Sequence, residues 1–402
     1  MDKKQVIDLS LELKAIARDL SFLSHPRYPL DELLLLFPEH RNFLSHLSDH
    51  AHPFSVDGGD KKRKINSLFQ KLLMADIPHQ LKKTFSDRLN EYETLLHMME
   101  NFGKRAFYDG CLKLYGTSDD ISLSPHFSNF LKEIQKDLLP EKVSENISAE
   151  EGLKYLKIKL SEVFHPDDFE VKYSHSLLSD SSAGRRTLKL NPHKVYSQGQ
   201  LNIFLVHEGW AHLGTSLNGA YQENNPWLGI WSPKTTSLQE GLALCSELIS
   251  GHMNAERWNK VVIRHLASAM AERGSSILDV YQFLLHHELN DLDALKLSLR
   301  IFRGVPLEGG MAFTKELLYL HGLVTLLLHL SFYKTDLKSL WVGKMSFDEH
   351  IMLMDQWAIM DPQLKYFPME LEQPDVLQRL EELKIIAQRI FRSSDKDHPE
   401  CP

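Results

Sequence analysis

Apolar residues recur at three- and four-residue steps along most of this 402-residue chain, and that repeat limits the fold to packed helices. It predicts helices over residues 6–23, 65–73, 81–99, 106–114 and 149–163, the last opened by Ser148 as N-cap with Glu151 three residues on. Further helices are predicted over 201–217, 237–249, 257–271, 277–285, 292–302, 312–328 and 376–391. Two short segments break the pattern. Phe169–Tyr173 and Thr187–Leu190 alternate apolar and polar residues as half-buried strands do, and the turn-rich run 179–184 lies between them. The expected fold class is mainly α with a small antiparallel β element, a hairpin set directly before the helix at 201–217.

Composition removes several function classes. A formal net charge of −8 gives no broad cationic field to attract phosphates, so a general nucleic-acid binder is not expected. The run Lys61-Lys62-Arg63-Lys64 reads as a solvated helix start. Cys111, Cys245 and Cys401 stand far apart and make no CxxC pair, which fits a reducing compartment rather than a disulfide scaffold. The N-terminus leads into an amphipathic pattern rather than a secretory leader, and the longest apolar run, 323–330, is interrupted and too short to span a membrane. A cytoplasmic protein with no membrane and no nucleic-acid partner is expected.

The chemistry concentrates in His207-Glu208-Gly209-Trp210-Ala211-His212. Metal-assisted hydrolysis needs three protein ligands, an open position, and a base able to take a proton from water. Histidines four residues apart diverge by about 40° on a regular helix, but the five-residue spacing here diverges by about 140°. A π-type bulge would restore the alignment, and the small Gly209 and Ala211 would permit the distortion. With 21 histidines, a His-Glu-x-x-x-His string arises by chance in about one such chain in ten, so the context has to decide. Ile203, Phe204, Val206 and Trp210 surround Glu208, and a carboxylate among them needs a cation. Glu240, in Gln239-Glu240-Gly241-Leu242-Ala243, is the expected third ligand. Glu247, seven residues on and on a similar face, is either a partner for a histidine or a surface acid. The rival cluster His286-His287-Glu288 reads as a helix end, because adjacent histidines diverge by about 100°.

Taken in order, His207-Glu208-x-x-x-His212, Gln239-Glu240-Gly241-Leu242-Ala243 and Phe313-Thr314-Lys315-Glu316-Leu317-Leu318-Tyr319-Leu320-His321-Gly322 resemble the QEGLA-motif family of zinc metallopeptidases. That family includes the microtubule-associated tyrosine carboxypeptidases and their bacterial relatives. Leu114-Tyr115-Gly116, Leu217-Asn218-Gly219, Arg303-Gly304 and Gly309-Gly310 add to the likeness, which spans roughly residues 100–330. The chain is expected to divide into a helical N-terminal region over 1–145, packed on a zincin-like catalytic domain over 146–391, and a charged, Pro-containing tail over 392–402 expected to be disordered. The resemblance implies one Zn2+ per chain on His207, His212 and Glu240, with Glu208 as the catalytic glutamate. The family's usual run after His-Glu is Ile-Gly-Thr-His, so Trp210 is a departure, and Glu316 stands where aspartate is usual.

The implied reaction is removal of a C-terminal residue, tyrosine or similar, from a peptide or protein by metal-activated water. Tyr319 is the candidate oxyanion donor, with Lys315 one helical turn earlier on the same face. Arg303 and Lys315 are the candidate cations for the substrate's terminal carboxylate. Two alternatives remain open, a regulatory or binding protein that keeps a structural metal site, and a hydrolase of small amides or esters.

Overall fold

The structure is a computed structural model, and it describes residues 3–20, 58–122, 125–141, 146–175, 177 and 179–391. The principal helices, in chain order, are α1 (Lys3–Asp19), α2 (Gly58–Met74), α3 (His79–Glu100), α4 (Arg105–Tyr115), α5 (Pro125–Lys136) and α6 (Ala149–Ser161). They continue with α7 (Gln198–Phe204), α8 (Gly214–Ala220), α9 (Thr235–Ile249), α10 (Ala255–Glu272), α11 (Ile277–His286) and α12 (Asp291–Ile301). The last are α13 (Leu318–Tyr333), α14 (Phe347–Asp355) and α15 (Pro374–Phe391). The strands are β1 (Ile147–Ser148), β2 (Glu170–Tyr173), β3 (Ser181–Ala183), β4 (Thr187–Leu190) and β5 (Val195–Tyr196).

Helix starts follow local chemistry. Ser148 and Glu151 form the reciprocal capping box their spacing predicts, and Ser197 with Gln200, Ser276 with Asp279, and Ser346 with Glu349 repeat it. Lys62, Arg63 and Lys64 lie exposed on the first turns of α2. α11 ends at His286, and Glu288 takes a positive φ of 64°, so that histidine pair does mark a helix end. Cys111 and Cys245 are buried free thiols. The tail 392–402, Cys401 and the end of the first predicted helix lie outside the described residues.

The chain divides into two compact units that interleave along the sequence. One comprises residues 1–120, 232–234 and 261–318, and the other 121–231, 235–260 and 319–402. In the first, α3 packs against α2 and α4, and Phe85, Tyr92, Leu95 and Phe107 are fully buried. Glu316 is buried there on Arg300, at 2.9 Å, and Arg264, at 3.5 Å, which explains an acid inside an apolar run.

In the second unit a three-stranded sheet has the order β2-β4-β3. The expected hairpin therefore needs correcting. β4 pairs antiparallel with β3, whereas β2 and β4 run parallel, because the chain between them contributes β3 first. β1 and β5 form a separate antiparallel pair. The helix predicted over 201–217 runs from α7 through a π-helical stretch, Leu205–Leu213, into α8. The π stretch packs on α9, α6 and the sheet, burying Leu160, Leu188, Val206 and Leu242 completely. Its Gly209 keeps right-handed backbone, so its small size serves close packing on the Leu160 side chain rather than an unusual φ.

α9 and α13 cross at backbone contact. A Cβ on Gly241 would collide with the Gly322 carbonyl, and one on Gly322 with the Ser237 carbonyl, so both positions require glycine. The helix predicted over 312–328 begins later than expected, at Leu318, after a 3-10 turn over Thr314–Leu317. Thr314–Tyr333 is nonetheless long and apolar enough to cross a membrane by length and composition alone, contrary to the sequence expectation. Since most of it is buried, it has the surroundings of a core helix. α5 and α14 have no counterpart among the predicted helices. Behind α13, His329 Nε2 lies 2.8 Å from His350 Nδ1, and His350 Nε2 lies 2.8 Å from Ser339 Oγ, all three side chains buried.

Candidate metal centre

The π stretch resolves the spacing problem. Its i→i+5 turn stacks residues five apart, so His207 and His212 face the same way with ring centroids 4.8 Å apart. Glu240, one residue before the Gly241 crossing, points its carboxylate between them. Its Oε2 is 3.5 Å from His207 Nε2 and 3.6 Å from His212 Nε2. Donor atoms bound to one tetrahedral zinc, at about 2.0–2.1 Å each, lie about 3.3 Å apart, so these separations are close to a ligand set. Among the described residues, His207, His212 and Glu240 form the group that could hold a metal ion, with all donor atoms within 4.8 Å of one another.

The surroundings prepare these donors. His207 Nδ1 lies 2.7 Å from Glu247 Oε1, which leaves Nε2 directed at Glu240. Glu247 has no exposed surface and is also gripped by Arg257 through two hydrogen bonds of 2.8 and 2.9 Å. Of the two readings of Glu247, the structure thus gives the histidine partner. Burial pushes the Glu247 carboxyl up, but Arg257 and His207 outweigh it and hold it at about 2. Burial likewise pushes the His207 imidazole down, and Glu240 and Glu247 outweigh that, raising it to about 10. The site attracts positive charge. Glu208 points elsewhere, its Oε2 accepting a 2.6 Å hydrogen bond from the Ala183 N–H on edge strand β3.

Tyr319, at the start of α13, stacks its ring on His207 with 6.2 Å between centroids and a 17° tilt. Arg303 and Lys315 belong to the other unit. Arg303 is buried with its guanidinium 5.8 Å from the Phe313 ring centroid, and buried Lys315 lends its charge to Glu316. The 3-10 turn at 314–317 also breaks the single helical face expected for Lys315 and Tyr319. Trp210 is buried, and its carbonyl accepts the Trp341 indole N–H at 2.9 Å.

Two residues near the centre were missed by sequence reasoning. Arg257 gave a weak signal, ten residues beyond Glu247 at the start of a helix. Lys344 gave none, since it follows the region of resemblance. Its Nζ lies 3.1 Å from Gln239 Oε1, and the same oxygen accepts the Thr215 hydroxyl at 2.7 Å. Burial pushes the Lys344 ammonium down to about 8, against the opposing pull of Glu240 and Glu208.

No curated protein matches the chain. Residues 44–385 match the family described as "Microtubule-associated tyrosine carboxypeptidase". That span covers most of the sequence and contains all three motifs together with the His207, His212 and Glu240 cluster, and the chain belongs to this carboxypeptidase family.

Proposed function

We propose that the protein is a zincin-like metallocarboxypeptidase that removes one residue, tyrosine or similar, from the C-terminus of a peptide or protein in the cytoplasm. The observation that carries this reading is the convergence of two histidines and a glutamate with Glu208 on the same helical stretch. His207, His212 and Glu240 hold one Zn2+ per chain. Zinc in such a set supplies Lewis acidity and brings the pKa of water near about 7.

Glu208 accepts the proton of the attacking water and returns it to the leaving amine. Its hydrogen bond from the Ala183 N–H fixes which oxygen is available for that work. Ala183 stands on an edge strand, so an extended substrate can lie alongside β3 with its scissile bond near Glu208. Tyr319, stacked on His207, donates to the developing oxyanion. Glu247 holds His207 in place, and Arg303 and Lys315 are the sequence's candidates for the substrate carboxylate. The catalytic region in this reading is 146–391.

Metal analysis and a panel of peptides with varied C-terminal residues test the proposal. Stoichiometric zinc and release of a single terminal residue are expected, both lost in Glu240→Ala and the second alone in Glu208→Gln. Zinc-free protein, or a Glu208→Gln variant as active as the parent, refutes it.

A further inference from the structure

We infer that Trp341 is a positioning residue for the metal centre, its indole N–H holding open the wide turn that brings His207 and His212 together. The assignment rests on the metal-dependent reading above. A π stretch has to hand back to an ordinary helix, and the change from five-residue to four-residue turns skips one carbonyl. Here the skipped carbonyl can be named. The Gly214 N–H is shared between the Gly209 carbonyl, five residues back, and the Ala211 carbonyl, three back, and so passes over Trp210. In the four-residue turns of α8 the next N–H, that of Thr215, belongs to Ala211. Neither turn serves the Trp210 carbonyl, and the Trp341 indole N–H meets it at 2.9 Å.

The donor comes from outside this helix and is fixed in place. Trp341 ends the 3-10 turn Leu337–Trp341 and is completely buried. Its own carbonyl accepts a 2.8 Å hydrogen bond from Asn218 on α8, and its ring meets Phe367 edge-on at 5.1 Å. Gly214 leaves room for the indole, since a Cβ there would stand 3.3 Å from Nε1. The neighbouring carbonyls are served from within the helix, Ala211 by the Thr215 hydroxyl and His212 by the Ser216 hydroxyl, both at 2.7 Å. Without the indole, the buried Trp210 carbonyl regains a partner by closing the turn to four residues, with the Gly214 N–H as donor. That closure would swing His212 to about 140° from His207 and out of the ligand set. Trp341 thus acts on the metal through the register of the helix, touching neither metal nor substrate.

The test measures zinc affinity by chelator competition in the parent, in Trp341→Phe, in a chain lacking Ala211, and in the two changes combined. Deleting Ala211 sets the histidines four residues apart, where an ordinary helix aligns them and skips no carbonyl. Trp341→Phe removes the N–H and keeps a ring. It is expected to weaken zinc binding about 10- to 100-fold in the parent, but less than about twofold in the shortened chain. Equal losses in the two backgrounds, or no loss in the parent, overturn the inference. A second measurement needs neither zinc nor the deletion, and decides alone if the shortened chain does not fold. Amide hydrogen exchange in metal-free Trp341→Phe should be about tenfold or more faster over residues 205–214, with the parent's rates kept in α9. Parent-like exchange over 205–214 overturns the inference. A parent that binds no zinc overturns the metallocarboxypeptidase reading, and with it the link from Trp341 to a metal, whatever the exchange rates show of the turn.

Discussion

Replacing Glu247 with glutamine removes one charge from the interior while keeping the shape and an oxygen that can still accept from His207. The consequences divide into two measurable parts. Arg257 loses the carboxylate that now meets it at 2.8 and 2.9 Å. Stranding one partner of a buried pair costs about 3–5 kcal/mol, and since the Arg257 side chain keeps 18% exposure, about 3 kcal/mol is expected here. Loss of the carboxylate behind a metal-binding histidine weakens metal affinity about 10- to 100-fold, or about 1.4–2.8 kcal/mol. Urea unfolding of the metal-free protein should show the first loss, and chelator competition the second. Pairing Glu247→Leu with Arg257→Met removes both charges and should recover most of the stability but none of the metal affinity. A metal-free Glu247→Gln protein that loses under about 1 kcal/mol, with metal affinity unchanged, would refute the argument that Glu247 joins Arg257 to the ligand set.

Three further outcomes are expected. Burial holds the His329 imidazole near 4, and burial together with neighbouring His329 holds His350 near 3, both below the usual 6.5. The unfolded chain therefore takes up protons first, so stability complete above pH 6.5 falls as the pH drops towards 4, by about 2 kcal/mol per imidazole at pH 5. Urea titrations of His329→Phe and His350→Leu between pH 7 and pH 4.5 should show a flatter slope, and an unchanged slope rejects the pair as its source. Ala183→Pro removes the N–H that Glu208 uses at a strand edge that tolerates proline; kcat should fall about tenfold or more with KM nearly constant, and an equal kcat counts against that hydrogen bond. Gly322→Ala forces a methyl into the Ser237 carbonyl and should cost about 1–3 kcal/mol in urea unfolding, whereas a near-neutral result would show that the crossing can spread.

Most helices were legible because burying one face imposes a three-to-four residue repeat that survives in a single sequence. α5 and α14 were not read, and the 312–328 helix was started too early, because apolar periodicity does not separate an α turn from the 3-10 turn at Thr314–Leu317. The strand pairing was misread for a similar reason. Alternation shows which residues face inward, but says nothing about whether β2 meets β4 parallel or antiparallel. Among the site residues, spacing alone was enough to anticipate the wider turn between His207 and His212. Lys344 and Arg257 escaped notice because a lone basic residue far along the chain carries no pattern. Only the folded backbone brings Lys344 beside Gln239.

The crossing of α9 and α13 has a consequence for how this centre can change. Gly241 directly follows Glu240, whose carboxylate lies between the two histidines, and Gly322 lies three residues after Tyr319, whose ring stacks on His207. The two helices meet without side chains between them, so neither can slide or roll without dragging the other's backbone along. Carboxylate and aromatic ring therefore share a single hinge pin. Any substitution that widened the gap between these glycines would shift the Glu240 carboxylate and the Tyr319 ring relative to the two histidines in one step.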